Sequence, residues 1–407
     1  MPKIYLIDVT NRDGVQTAKL GLSKLEKTMI NVFLNDMGVF QSEFGFPTTR
    51  HEIYYLRANL ELAEMGVLKP LRLGGWIRAI PEDVEITFRN LPEIKHLNLS
   101  ISTSDQMING KFQGRKTRDD VIREMTEAVD AARACGAETI GVNAEDASRT
   151  DIKFLTEFGL AAKEHGADRL RYCDTLGYDN PFTIYDSARI LAEKVGLPIE
   201  LHCHDDLGMA VANSITGAMG VIDGGQDAYI NTTINGIGER AGNAPLHEVV
   251  VAIDKNLQRG HGIDMHGLYD LTRLVERCSG IFIPPHAPIV GLNAFRHESG
   301  IHVDGILKNS QTYTGVDPFD VRRDSSFVLG KHTGTRTIRY LLDQRGFKAD
   351  KRALEDILQR VKERKTKDGK EEIQRMAREM ELFYERCLGF PMDRFWEIVE
   401  GVLGKDV

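Results

Sequence analysis

The chain has 407 residues and a formal net charge of −8, from 52 lysines and arginines against 60 aspartates and glutamates. This length exceeds the roughly 250–300 residues that one hydrophobic core supports, so we expect one large domain with a smaller appendage. The acidic balance, without a basic run interleaved with aromatic residues, argues against nucleic-acid binding. No apolar run reaches the roughly 18 residues of a membrane span, so no membrane partner is expected.

The cysteines indicate the compartment. Five are present, scattered along the chain and without Cys-x-x-Cys spacing. A disulfide framework would need pairs, so this pattern favours a reducing environment. We therefore expect a cytoplasmic protein.

Short apolar segments recur along the first 234 residues, with amphipathic stretches between them. Eight of these segments have the composition of buried strands: Ile4–Val9, Val39–Phe46, Leu73–Ala79, His96–Ser102, Thr139–Asn143, Leu170–Asp174, Ile199–His204 and Ala228–Ile234. The intervening stretches carry helix start signals, namely capping boxes at Ser23/Glu26 and Thr117/Asp120, and Asn180 before Pro181. Eight strand–helix units predict an α/β fold of the (β/α)8 TIM-barrel type, with a doubly wound sheet as the alternative.

The alternating pattern stops after about residue 275. Ile283-Pro284-Pro285-His286-Ala287-Pro288 is typical of an extended connector. We predict a catalytic barrel over residues 1–275, a linker and small mixed subdomain contributing to the active site over 276–345, and a C-terminal helical region over 346–407. Within the last region, Lys351–Lys365 and Glu371–Leu388 are predicted helices.

Polar residues follow each predicted strand, where a barrel assembles its active site, although loop polarity alone explains part of this pattern. His202-Cys203-His204 is the most informative of these positions, because residues two apart in a strand share a face. The two imidazoles therefore suit one divalent metal ion. The alternative is that they are two hydrogen-bonded histidines at the end of a sheet with no metal-binding role.

Asp13 is the predicted third ligand. It follows the first strand, which in a closed barrel neighbours the last strands, so it could meet His202 and His204. Two imidazoles and one carboxylate leave coordination positions open, as a catalytic site requires. Arg12 could then neutralise the carboxylate of a bound 2-oxo acid, although Arg12 and Asp13 also suit a simple loop ion pair.

Six motifs together resemble the isopropylmalate and homocitrate synthase family: Arg12-Asp13-Gly14-x-Gln16, Glu43-Phe44-Gly45-Phe46-Pro47, His202-Cys203-His204-Asp205-Asp206-Leu207-Gly208, Asn235-Gly236-Ile237-Gly238-Glu239-Arg240-Ala241-Gly242-Asn243, His297-Glu298-Ser299-Gly300-Ile301-His302 and Leu329-Gly330-Lys331-His332-Thr333-Gly334. Within this family, segments 8–25, 41–51 and 141–151 most resemble the (Re)-citrate synthases. Homocitrate synthases of nitrogen fixation are similar too.

The resemblance implies a metal-dependent Claisen condensation, in which acetyl-CoA adds to a 2-oxo acid and the thioester is then hydrolysed. By motif position Asp13, His202 and His204 are the metal ligands, for Mn²⁺ or Co²⁺ before Mg²⁺ or Zn²⁺. The implied substrate-binding residues are Arg12, Gln16, Glu43, Arg78 and Thr175. The implied catalytic residues are His302 for acid–base work on the acetyl methyl, Glu145 as its carboxylate partner, Arg12, and Tyr313 in support. The family also implies a homodimer, and a structural rather than catalytic part for Glu239 and Arg240.

Position 141 bears on the substrate. Lysine-pathway homocitrate synthases have an arginine there that holds the distal carboxylate of 2-oxoglutarate, whereas this chain has Gly141. The difference favours oxaloacetate, and hence citrate as product, with homocitrate formation from 2-oxoglutarate as the alternative if Arg78 or Arg149 substitutes for the missing arginine.

Three other classes fit less well. A hydroxymethylglutaryl-CoA lyase would carry a glycine-rich loop with a cysteine where this chain has Glu239-Arg240. A non-catalytic scaffold would be expected to have disrupted ligands, whereas Asp13 and both histidines are intact. The glycines at 236, 238 and 242 have the wrong spacing and position for dinucleotide binding.

Overall fold

The computed structural model describes residues 1–367, 370–386 and 388–403. It divides into two compact units, Met1–Ser279 and the remainder from Gly280 onward. Within the described residues, the helices are too short or too polar to cross a membrane.

The first unit is a closed barrel of eight parallel strands arranged in chain order, with β8 pairing back onto β1. The strands are β1 Ile4–Asp8, β2 Gln41–Gly45, β3 Arg72–Arg78, β4 His96–Ser102, β5 Thr139–Glu145, β6 Arg169–Asp174, β7 Ile199–Cys203 and β8 Ala228–Thr232. All eight predicted strands are present, and the TIM-barrel prediction is confirmed; closure rules out the doubly wound sheet.

Ten helices accompany these strands: α1 Lys24–Asp36, α2 Ile53–Glu64, α3 Pro81–Asn90, α4 Asp105–Lys111, α5 Arg118–Ala134, α6 Ile152–Glu164, α7 Pro181–Val195, α8 Ala210–Asp223, α9 Leu246–Ala252 and α10 Leu268–Ser279. The predicted capping boxes at Ser23 and Thr117 form, and Asn180 caps α7. The caps satisfy N–H groups that a helix start would otherwise leave without partners.

The barrel interior is charged. Glu43 on β2 bonds Arg171 on β6 and Asn98 on β4, contacts that cross the barrel from strands that are not neighbours. Glu200 on β7 takes further bonds from Arg171 and Arg169. TIM barrels more often fill this space with branched apolar side chains. Buried polar residues therefore alternate along β5 to β7, because one face of each strand points toward this network and the other toward the helices.

The second unit opens with a short two-stranded parallel sheet, β9 Arg296–His297 and β10 Ser326–Phe327. Its helices are α11 Gly300–Lys308, α12 Thr335–Asp343, α13 Lys351–Lys367, α14 Glu371–Arg386 and α15 Met392–Leu403. Helices α13 and α14 occupy the two segments that were predicted to be helical in the C-terminal region. The second prediction ended at Leu388 and so included position 387, which lies outside the described residues. The short helix α15, which follows Pro391, was not among the predicted helices.

Candidate active site

The predicted metal ligands lie together at the C-terminal mouth of the barrel. Asp13 follows β1, His202 is in β7 and His204 lies just beyond it. One potential donor atom from each falls within 4.8 Å of the others, and within the described chain no other group of three or more His, Cys, Asp or Glu side chains does so. All three side chains are buried.

Their electrostatics fit a divalent cation. Burial lowers the pKa of both imidazoles more than Asp13 raises it, so both are neutral, as metal ligands must be. The Nδ1 atoms of His202 and His204 are buried without a hydrogen-bond partner in the described part of the chain, which is costly in a native protein. Burial would raise the pKa of Asp13, but the charge of Arg12 and the hydrogen bond from the Asn243 amide act in the opposite direction, and that pKa lies well below its usual range. A bound cation would complete this group.

The loop after β8 holds Asp13 in place. Asn243 donates its amide to Asp13 Oδ2 at 2.5 Å, and it also pairs with His204 through an isolated bridge. Asn243 belongs to the glycine-rich segment, whose Gly242 adopts φ +89 where an added Cβ would strike the backbone of Gly236. The segment therefore helps to hold Asp13, a predicted ligand, in place.

Arg12 is fixed from two sides. Its Nη1 lies 2.7 Å from Asp13 Oδ1 and its Nε lies 2.5 Å from Glu43 Oε2, while its guanidinium lies 5.4 Å from the Trp76 ring centroid. Arg12 and Arg171 hold the pKa of Glu43 at about 2 against the effect of burial, which acts in the opposite direction. The loop ion pair and the candidate metal group thus coexist.

A pocket of about 240 Å³ opens above these residues. Among its lining residues are seven predicted site residues, namely Arg12, Asp13, Gln16, Glu145, Thr175, His202 and His204. Glu239 and Arg240 also line it. Arg240 pairs with Asp206 and donates to the carbonyl oxygen of Thr175 at 2.5 Å, in line with a structural part for this arginine.

Two predicted substrate-binding residues do not line the pocket. Arg78 forms a two-pronged ion pair with Asp83, at 2.9 and 2.7 Å, and its side chain is 68% exposed. Glu43 is fully buried beneath Arg12. Arg149 is likewise engaged, with Asp146. Neither Arg78 nor Arg149 is therefore placed to replace the arginine that position 141 lacks.

The space at Gly141 is already filled. A Cβ there would lie 2.1 Å from Asn98 Oδ1, so a side chain at position 141 would require the Asn98 side chain to move. Asn143 lies two residues farther along β5. With its amide turned to match its neighbours, the amide oxygen accepts hydrogen bonds from Trp76 Nε1 at 3.1 Å and Arg171 Nη1 at 3.2 Å. This end of the pocket is consequently built by β3, β5 and β6.

The pocket residues Trp76, Ser100, Asn143 and Arg171 were not among the sequence predictions. Each lies inside a strand rather than after it. Polar residues that recur with period two in otherwise apolar strands could have indicated them, because that period places them on one face of the sheet.

His302 and Tyr313 lie in the second unit. Their rings stack with centroids 4.2 Å apart at 23°, and His297 lies 6.5 Å from His302 between centroids. Both His302 and Tyr313 are exposed. The pair is thus preformed within its own unit.

Comparisons with known proteins agree with this architecture. A family model described as HMGL-like matches residues 3–275, and one described as homocitrate synthase post-HMGL domain-like matches 289–369. The Citrate (Re)-synthase of Dehalococcoides mccartyi (strain CBDB1) is 60% identical over 356 residues, which cover 84% of this chain and 86% of that protein. Homocitrate synthase 1 of Nostoc sp. (strain PCC 7120) is 36% identical over 367 residues, 90% of this chain and 94% of that protein.

Solved structures show the fold. The HMG-CoA lyase of Bacillus subtilis superposes with a TM-score of 0.57, at 19% identity, covering 70% of this chain and 97% of that one. The HMG-CoA lyase of Pseudomonas aeruginosa gives a TM-score of 0.57 at 17% identity, covering 68% and 93% of the respective chains. At such identities the likeness supports the barrel and no particular reaction.

Proposed function

The chain belongs to the HMGL-like family, and from that premise we propose that it is an acyltransferase that condenses acetyl-CoA with oxaloacetate to give citrate and CoA, as a (Re)-citrate synthase. The observation that carries this proposal is the 60% identity to a Citrate (Re)-synthase over most of both chains. The match to a homocitrate synthase is 36%, which makes that alternative less well supported.

The residues of the pocket suit these roles. Asp13, His202 and His204 would hold a divalent ion, which when bound polarises the 2-oxo group of the substrate. Arg12, already aimed by Glu43, would bind the adjacent carboxylate with its two-pronged guanidinium. Gln16 and Thr175, on the pocket wall, would orient the same end of the substrate.

Proton transfer at the acetyl methyl is assigned to His302. A thioester α-carbon is a weak acid, so its deprotonation needs a positioned base with a pKa near ambient pH, for which imidazole is suited. Glu145 is the proposed carboxylate partner, and Tyr313 supports His302 by the observed ring stacking. These three assignments rest on the family motifs.

The buried charges favour a diacid. Inside the barrel, Arg12, Arg169 and Arg171 balance Asp13, Glu43 and Glu200, all less than a tenth exposed. A divalent cation adds two positive charges, and a 2-oxo dicarboxylate supplies the two negative charges that offset them. Because an uncompensated buried charge is costly, monocarboxylate 2-oxo acids fit less well. Gly141 lacks the arginine side chain that holds the distal carboxylate of 2-oxoglutarate in lysine-pathway homocitrate synthases, so the longer substrate is less favoured.

Three further points belong to the proposal. Mn²⁺ or Co²⁺ is the expected ion, with Mg²⁺ and Zn²⁺ as alternatives, because one carboxylate and two imidazoles suit several divalent ions. A homodimer in the cytoplasm is expected, acting on small molecules. The described cysteines are free, which supports a reducing compartment.

The decisive experiment measures release of free CoA from acetyl-CoA by purified, metal-supplemented protein under anaerobic conditions. Oxaloacetate, 2-oxoglutarate and 2-oxoisovalerate are compared at equal concentration. Strong preference for oxaloacetate, with citrate identified as product, is the expected result. Preference for 2-oxoglutarate would establish the homocitrate alternative, and inactivity with all three would overturn the proposal.

A further inference from the structure

The ends of β4 and β5 are tied together beside the pocket. The Thr103 backbone N–H and hydroxyl both donate to the carbonyl oxygen of Glu145, at 3.0 and 3.1 Å. The Ser104 hydroxyl donates to the carboxylate of Asp146. Ser102 and Ser104 thus contact two consecutive acidic residues at the end of β5, the first of which lines the pocket.

Two donors converge on one oxygen of Glu145. The Lys111 Nζ, from the last residue of α4, lies 2.7 Å from Oε2, and the Ser102 hydroxyl donates to the same atom. Lys111 also donates to Ser102 at 3.2 Å, closing a three-membered cluster. No residue in the described part of the chain donates a hydrogen bond to Oε1. The cluster therefore fixes the carboxylate by one oxygen and leaves the other for a different partner.

The backbone next to Glu145 is strained. Asp146 adopts φ +64 and ψ +38, the left-handed region that non-glycine residues seldom occupy. Arg149 Nη2 donates to the Asp146 carboxylate at 2.6 Å, and the backbone N–H of Asp146 donates to the Thr175 hydroxyl at 2.9 Å. Such strain persists only where the surroundings maintain it, and it clusters at functional sites.

From these contacts we infer that Lys111 and Ser102 are positioning residues for the proposed reaction: they clamp Glu145 Oε2 and leave Oε1 free for the part in proton transfer that is proposed for Glu145. The inference rests on the proposed function, because it concerns Glu145 in its proposed part. The competing explanation is an ordinary surface ion pair, since the Lys111 side chain is 51% exposed. Exposed ion pairs contribute little to stability. Replacing Lys111 should accordingly leave the fold intact, which makes its effect on turnover informative.

The test compares Lys111→Met, Lys111→Arg and Ser102→Ala with the wild type. Lys116→Met is the matched control, because Lys116 lies five residues on and pairs instead with Glu124. Steady-state kinetics with acetyl-CoA and oxaloacetate are combined with the kinetic isotope effect of acetyl-CoA trideuterated at the methyl group. That isotope effect reports how far proton removal limits the rate.

We expect Lys111→Met to lower kcat by about tenfold or more, since small misplacement of a catalytic group is costly, with KM for oxaloacetate changed less than about twofold. The isotope effect should rise, Ser102→Ala should act in the same direction, and Lys111→Arg should recover part of kcat. Lys116→Met should match the wild type.

The inference is overturned if Lys111→Met behaves like Lys116→Met, or if KM rises while kcat and the isotope effect stay constant. If Lys111→Met fails to fold, Ser102→Ala decides by the same criteria. If the wild type is active and both Lys111→Met and Ser102→Ala match it, the positioning role is refuted while the proposed function stands. A wild type that is inert with every 2-oxo acid refutes the proposed function and, with it, this inference.

Discussion

The proposed catalytic residues are held very differently in the two units. In the barrel, Arg12, Asp13, His202 and His204 are buried, and Arg12 and Asp13 are each gripped by other side chains. In the second unit, His302 is exposed, and its ring contacts are aromatic neighbours rather than ion pairs. The barrel residues are held as fixed coordination would require, whereas His302, the proposed base, is exposed to solvent. Substitutions in the two units should therefore fail in different ways.

The largest effect is expected from His204→Ala. Loss of one of three ligands should abolish metal binding and lower kcat by on the order of 10³-fold or more, because a bound ion supplies several kcal/mol of transition-state stabilisation. Metal content by mass spectrometry and CoA release are measured together. His165→Ala is the control, since His165 is partly exposed and pairs with Asp130. Retained activity in His204→Ala would refute the metal site.

His302→Ala should lower turnover without affecting metal binding, in contrast to His204→Ala in the barrel. We expect metal content to stay at the wild-type level while kcat falls by about 10²–10⁴-fold, the usual contribution of a general acid–base group. The same two assays apply, with the exposed His286 replaced by alanine for comparison. Loss of metal from His302→Ala would show that this histidine has been assigned the wrong role.

Glu200→Gln tests the interior that supports the barrel half. Glu200 is fully buried and bonds Arg171 at 2.8 Å, and removing its charge leaves that guanidinium partly uncompensated. The free energy of unfolding should fall by about 3 kcal/mol, near the low end for a broken buried ion pair because glutamine retains a hydrogen bond. Urea titration of the metal-free protein measures it.

The control for that experiment is Glu193→Gln. Glu193 pairs with Arg189 at 2.9 Å on an exposed helix face. Removing an exposed pair should change stability by less than about 1 kcal/mol. Equal effects of the two substitutions would mean that the interior network does not contribute as its burial indicates.

The sequence predicted the strands and the candidate metal group of the barrel better than the contacts between distant residues that hold the pocket in place. The strands and the Asp13, His202 and His204 group followed from local patterns, because a buried strand has period two and strands of a barrel end at one rim. Arg171 and Asn143 line the pocket through contacts that cross the barrel, and these depend on register and closure. Lys111 reaches Glu145 from a short helix in another loop. No local pattern encodes such pairs.

Arg78 shows the converse limit. Its position at the end of β3 suggested substrate binding, but Asp83 in the first turn of α3 captures its guanidinium with two bonds. A carboxylate five residues away forms that pair at little entropic cost, so a polar residue at the rim need not face the pocket. The substrate role of Arg78 stays a prediction that the geometry does not favour.

A buried imidazole without partners does not by itself make a metal site, and His247 on α9 tests that distinction. Neither ring nitrogen has a hydrogen-bond partner in the described residues, and the carboxylate of Glu248 lies 3.8 Å away. Burial lowers the pKa of His247 to about 3. In the folded state it is neutral, whereas the unfolded chain binds a proton below about pH 6.5. The folded state therefore loses stability as pH falls from 6.5 toward 3.

His247→Leu removes that proton-linked loss and should flatten the pH dependence of unfolding. Between pH 6.5 and 4.5, the wild type should lose up to about 1.4 kcal/mol per pH unit more than the variant, the value for one proton taken up on unfolding. Urea titrations of metal-free protein at several pH values measure the slope, and His266→Leu, at a half-exposed histidine, should leave it closer to wild type. Parallel slopes for wild type and His247→Leu would mean that the buried ring is already protonated or hydrated in the native state. If the slopes diverge and His247→Leu retains full metal content, then what sets His202 and His204 apart is the group of three donors that they form with Asp13 rather than burial of the ring.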